Sequence, residues 1–129
     1  MIKSKEDYLK LLGFLGCFCD QIRIIEDEDS VFLTSIKRYH NRSNWSRKFP
    51  GHSGGKRFKI LYYDVKAELM QYFMPYNSFF EIDGDDTDLD ISFYREDNLV
   101  CWVVSHEELC VVEESYIGQF RDYLKREPQ

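Results

Sequence analysis

Few residues in this chain are equipped for chemistry. They are His40, His52 and His106, the cysteines at 17, 19, 101 and 110, a glycine-rich cationic stretch, and a run of aspartates. His40 and His52 share a basic segment, where two imidazoles beside Arg42 or Lys56 have the makings of a nuclease-like acid–base pair with a cation to steady a phosphate. Ser53, next to His52, is the one hydroxyl placed like a nucleophile, but no nucleophile elbow surrounds it. Gly51-His52-Ser53-Gly54-Gly55-Lys56-Arg57 falls short of a phosphate loop. Three residues instead of four precede the Gly55-Lys56 pair, and Arg57 stands where Ser or Thr is required. Histidines exposed on a loop are the simpler reading, so the chain is not read as an enzyme and no catalytic residue is assigned.

Metal chemistry fares no better. Asp83-Gly84-Asp85-Asp86-Thr87-Asp88-Leu89-Asp90 resembles a calcium loop only superficially. An EF-hand needs Gly at its sixth position and Glu at its twelfth, and neither a start at Asp83 nor one at Asp86 supplies them. Cys101, His106 and Cys110 make a C-x4-H-x3-C pattern without the paired C-x2-C of a structural zinc site. Cys101 and Cys110 read more simply as small apolar residues on successive strands. No metal and no cofactor is expected.

The elements that must position these residues can be read from periodicity. Ser4, with Asp7 three residues on, suits a helix N-cap, and Tyr8, Leu11, Leu12, Leu15 and Phe18 follow helical spacing. This predicts a helix from about Lys5 to about Cys17 rather than a signal peptide, because Glu6 and Asp7 sit where positive charge belongs. Residues 21–25 and 31–36, rich in β-branched side chains around Glu26-Asp27-Glu28-Asp29, read as a hairpin. From Lys37 to about Arg57 the chain reads as a long cationic loop. Residues 58–63 suit either strand or helix. Asp64 then caps a middle helix through Phe73, which Pro75 stops.

Phe79–Ile82, Leu89–Tyr94, Leu99–Val104 and Leu109–Val112, joined by tight turns, predict an antiparallel meander. Ser115 caps a last amphipathic helix. The expected fold is one α+β domain over residues 1–129, mainly antiparallel sheet, with N-terminal, middle and C-terminal helices. With no secretion signal and no apolar run of membrane-spanning length, the expected compartment is the cytoplasm, with reduced thiols.

Charge is the most informative feature. The chain carries 17 cations and 23 anions, a net charge of −6. Yet Lys37, Arg38, Arg42, Arg47, Lys48, Lys56, Arg57 and Lys59 lie in one stretch without a single Asp or Glu, and Glu81 to Asp97 carries eight carboxylates against Arg95 alone. Either the two segments neutralise each other, with each exposed pair contributing about 0–1 kcal/mol, or they are separate recognition surfaces. On the second reading an acidic patch can occupy a partner's basic cleft, which speeds and selects association. Trp45 on the basic segment is the kind of aromatic that anchors an interface.

In size, acidity and its Asp83–Asp90 segment, this α+β chain resembles the bacterial immunity proteins of contact-dependent and other polymorphic toxin systems. That resemblance implies a cytoplasmic inhibitor that occludes the active site of a cognate protein toxin. The residues expected to meet the partner are Asp83, Asp85, Asp86, Asp88 and Asp90, with Trp45, Arg42, Arg47 and Lys48 at the edge of the interface. The alternative is a nucleic-acid-binding or nuclease-like domain working through residues 37–59. No membrane partner is expected.

Overall fold

The computed structural model describes residues 3–52, 54–84 and 88–126. The chain starts with helix α1 (Lys5–Phe18), as its spacing predicts. Ser4 Oγ accepts from the Asp7 amide at 3.2 Å, and the Asp7 carboxylate accepts from the Lys3 amide at 3.1 Å. These bonds satisfy donors that a helix start leaves open. Tyr8, Leu11, Leu12, Phe14 and Leu15 form its buried face.

Strand β1 (Gln21–Ile25) follows, with Ile22 and Ile24 buried and Arg23 between them on the opposite face. The hairpin expected after it does not form. Residues Val31–Ser35 are a short helix, α2, despite Val31 and the run of apolar residues. Ser30 caps it by accepting from the Leu33 amide, and the Asp83 carboxylate accepts from the Phe32 amide at 2.8 Å and from the Ser30 hydroxyl at 2.5 Å. A cap supplied from fifty residues away overrides a weak strand preference.

The expected loop from Lys37 is corrected over its first half. After one 3-10 turn (Lys37–Tyr39), strand β2 (His40–Ser46) runs along the edge of the sheet. Its first six residues are exposed, so it carries no alternation by which a strand could be recognised. Strand β3 (Phe58–Asp64) settles the ambiguity at 58–63. It pairs antiparallel with β2 on one side and β1 on the other.

The middle helix is shorter than expected. Helix α3 spans only Ala67–Met70, starting after Lys66 with no side-chain cap from Asp64. Phe79–Glu81 is a 3-10 turn rather than a strand, its start bonded by Ser78. The meander then forms as predicted: β4 (Ile91–Arg95), β5 (Asn98–Val104) and β6 (Leu109–Val112). Glu96 and Asp97 make the first turn with positive φ, the backbone that a two-residue hairpin requires. Helix α4 (Ile117–Arg126) closes the chain. Ser115 lies within the 3-10 turn Glu114–Tyr116 ahead of it, not at a cap.

The six strands form one antiparallel sheet in the order β2-β3-β1-β4-β5-β6. The register sorts the side chains into two faces. Ile22 and Ile24 stand opposite Tyr63 and Leu61 on one side and Phe93 and Ile91 on the other. With Cys101 and Val103 of β5 they meet α1, α2 and α3 in the main core. On the other face, Arg23 stands opposite Tyr62 and Ser92, and Ile25 opposite Ile60. Phe49, Ile60 and Tyr62 make a small second cluster there, with Ile25 and Phe58 against it. Among the described residues that face carries no helix of the main core; residues 47–52 lie over it instead. Among the described residues no helix is long and apolar enough to cross a membrane.

Candidate functional site

The second face of the sheet is where cations, aromatic rings and an open edge converge. Arg23 sits between two tyrosines, its guanidinium carbon 3.8 Å from the Tyr94 ring centre and 5.0 Å from that of Tyr62. Its Nε donates to Gln21 Oε1 at 2.7 Å, and one terminal nitrogen reaches Asp97 Oδ1 at 3.2 Å. Arg42, opposite Tyr62 in the register, lies 3.9 Å from the same ring. Tyr62 therefore carries two guanidinium contacts, each of a kind that contributes about 0.5–1 kcal/mol at exposed sites.

Segment 47–57 is fastened over this face at three points. Phe49 is buried against Ile60 and Tyr62. Gly51 lies so close to Trp102 and Val104 that a Cβ would collide with both, and its φ of +82° belongs to the region glycine favours. His52 Nε2 lies 2.6 Å from Asp90 Oδ2, and the imidazole packs edge-on against Phe58 and Phe49. Between strap and sheet runs a groove of about 680 Å3, lined among others by Arg23, Arg47, Lys48, Tyr62 and Tyr94.

Among the described residues, His52 with Asp90 is the contact that joins the basic segment to the acidic one. Lys59 meets Glu26 at 3.6 Å, and Arg23, from outside the segment, meets Asp97. Arg42, Arg47, Lys48, Lys56 and Arg57 have no carboxylate within ion-pair distance among the described residues. Trp45 is 55% exposed on the outermost strand, with the Arg57 guanidinium 5.8 Å from its ring. Of the expected partner contacts, Arg42 and Trp45 lie on β2 and Arg47 and Lys48 just beyond it; the register puts Arg42 on the Tyr62 face and Trp45, opposite Lys59, on the other.

The expected acidic contacts are dispersed. Asp83 is turned inward as the second cap of α2. Asp90 accepts from the Ser105 amide at 3.1 Å with one oxygen and holds His52 with the other. Both aspartates therefore have internal partners. Asp88 is exposed, 3.9 Å from His106 Nδ1. Asp85 and Asp86 lie outside the described residues, as does Ser53.

The acid–base pair considered at His40 and His52 is not assembled. His40 packs on Tyr63, a core-facing residue, whereas His52 packs on Phe58 on the opposite face. The zinc pattern comes apart as well. Cys101 and Cys110 are neighbours on β5 and β6, but His106 is largely exposed beside Asp88. A hydrogen bond with Cys110, together with burial, pushes the Cys101 thiol well above its ordinary pKa, which suits a packing residue rather than a thiolate ligand. No cluster of three metal-ligating side chains occurs among the described residues.

Sequence reasoning missed Arg23, Tyr62 and Tyr94. An arginine between two apolar residues of a strand was the available signal for Arg23, because alternation sends it to the other face. Its ring partners emerge only from the register of β3 and β4. Comparison of the chain with protein-family models, curated proteins and solved structures gave no match.

Proposed function

We propose that this chain is a cytoplasmic binding protein that neutralises a partner protein by covering it, as an immunity protein covers its toxin. In this reading the docking surface is the β2 edge and the adjoining strap. The observation that carries it is the exposed Trp45 on the outermost strand of the sheet, with Arg42 on the same strand and Arg47 and Lys48 just beyond it, all three without carboxylate partners among the described residues. An open edge offers backbone donors and acceptors, an indole offers a desolvated anchor, and free cations select an acidic surface. Asp83 and Asp90 have structural partners, so the partner is matched to the cationic edge rather than to the aspartate run.

The test is affinity capture from lysate after nuclease treatment, followed by growth rescue with the captured protein expressed as a toxin. Replacing Arg42, Arg47 and Lys48 by Glu together should abolish capture and rescue, and Asp88→Lys should leave both intact. The opposite pattern would return the interface to the acidic turn.

A second reading has its own support. Arg42 against Tyr62 and Arg57 against Trp45 pair cations with rings, the combination that single-stranded nucleic acid uses. It requires retardation of oligonucleotides whose affinity falls steeply with salt. Absence of retardation at low salt removes it.

A further inference from the structure

We propose that the groove between residues 47–52 and the sheet is a binding site for a small molecule bearing phosphoryl groups, which shares Arg47 and Lys48 with the protein-docking edge.

Acidic residues outnumber basic ones in this chain, yet the described residues lining the groove include Arg23, Arg47 and Lys48 and not one Asp or Glu. Two carboxylates engage the lining from outside it, Asp97 at Arg23 and Asp90 at His52, and neither reaches Arg47 or Lys48. A concavity with three cations and no acid, in a protein of net charge −6, concentrates positive potential where a multiply charged anion can enter.

Arg23 is held by Gln21 and the faces of Tyr94 and Tyr62, so its planar fork is already ordered before a ligand arrives. Two guanidinium groups and an ammonium suit a phosphoryl group better than a single carboxylate, since Arg can present two donors to two oxygens.

A volume of about 680 Å3 falls within the usual range of ligand clefts, about 300–1,000 Å3. Ile60 and Tyr62 supply an apolar floor, while Asn44 and Ser46 supply neutral polar groups at the β2 side. A ligand with phosphoryl groups toward Arg47 and Lys48 and an organic body on that floor would use the whole groove.

The experiment is titration of the full chain at low salt with inorganic pyrophosphate, with ATP in the absence of divalent metal, and with uncharged adenosine. Binding is read by calorimetry and by backbone amide NMR shifts. The proposal expects pyrophosphate or ATP to bind with dissociation constants below about 1 mM, and shifts at Arg47, Lys48, Gly51 and Gly54. The double variant Arg47→Ala/Lys48→Ala should weaken binding at least tenfold with an unchanged melting temperature, and Asp88→Ala should have no effect. ATP binding much tighter than pyrophosphate assigns the floor to the organic body, and equal binding assigns the site to phosphoryl groups alone; either supports the site. Three results overturn it: no binding of either anion, binding insensitive to the double variant, or a single-stranded twelve-nucleotide DNA competing for the same residues more than tenfold better than ATP. The last would make the groove a reader of nucleic-acid backbone. Failure of protein capture in the preceding test leaves this titration unaffected, so the two proposals stand or fall separately.

Discussion

The two faces of the sheet are stabilised in different ways. On one, α1, α2 and α3 lay a continuous layer of buried apolar side chains over the strands, with Phe14, Phe73, Phe79 and Phe93 among those fully enclosed. On the other, a single strand of backbone is fastened by Phe49, Gly51 and the His52–Asp90 contact, with only Phe49, Ile60 and Tyr62 buried in its cluster. The first face sets whether the chain folds. The second carries the groove and the cations that have no carboxylate partner among the described residues. Local openings in proteins are drawn from such lightly packed segments.

The largest effect that would separate the faces is loss of a core ring. Phe93→Ala should cost about 3–5 kcal/mol, the usual range for a fully buried phenylalanine, measured by urea unfolding. Phe49→Ala should cost clearly less, and should appear chiefly as faster hydrogen exchange across 47–57. Equal costs would mean that the strap belongs to the main cooperative unit.

Next comes the aspartate run. Asp83→Ala leaves the Ser30 hydroxyl and the Phe32 amide without their acceptor and should destabilise by about 1–3 kcal/mol. Asp88→Ala, at an exposed position, should stay within about 0.5 kcal/mol. Similar values for the two would show the run to be a uniform solvated turn.

A pH titration tests the helix-packed face alone. Burial, with Asp20 adding to it, pushes the Cys19 thiol from its ordinary 9.0 to about 12. Burial likewise holds the Tyr8 and Tyr63 hydroxyls above their ordinary 10.0. A raised folded-state pKa keeps its stabilising share whole below the unfolded value and loses it as pH rises toward the folded one. Thermal unfolding should therefore show stability falling progressively from pH 9 toward 12. Removing Cys19 as Cys19→Ala should flatten the first part of that fall.

The smallest effect concerns the thiols. Cys17 is exposed, whereas Cys19 and Cys101 are buried. Under native conditions Cys17 should be modified first by a thiol reagent and Cys101 last, by mass spectrometry. Rapid labelling of Cys101 would mean that β5 and β6 separate readily.

What the sequence makes legible follows from where tertiary structure intervenes. α1 and the meander carry their own signals: a cap with helical spacing, and alternation punctuated by turns. β2 carries none, because an edge strand exposed along its length has no buried face to mark it. Residues 31–36 mislead because the local cap at Ser30 is completed by a second one, Asp83, a residue whose approach no local window contains. For the same reason, the site was half visible. Arg42, Trp45, Arg47 and Lys48 lie close together in sequence, on one strand and just beyond it, but Arg23, Tyr62 and Tyr94 meet only through pairing across three strands.

The position of β1 has a consequence for how the chain is made. It is the first strand in sequence but lies inside the sheet, between β3 and β4. During synthesis it emerges early and must wait for residues 58–64 to pair along one side and for residues 91–95 along the other. Folding therefore depends on contacts between distant parts of the chain, which places it among slower-folding topologies. In that interval the apolar Ile22 and Ile24 are exposed on a strand with unpaired edges, the state most prone to pair with another molecule. Arg23 between them, and the acidic Glu26 to Asp29 just beyond, interrupt this strand with charge while it is still alone.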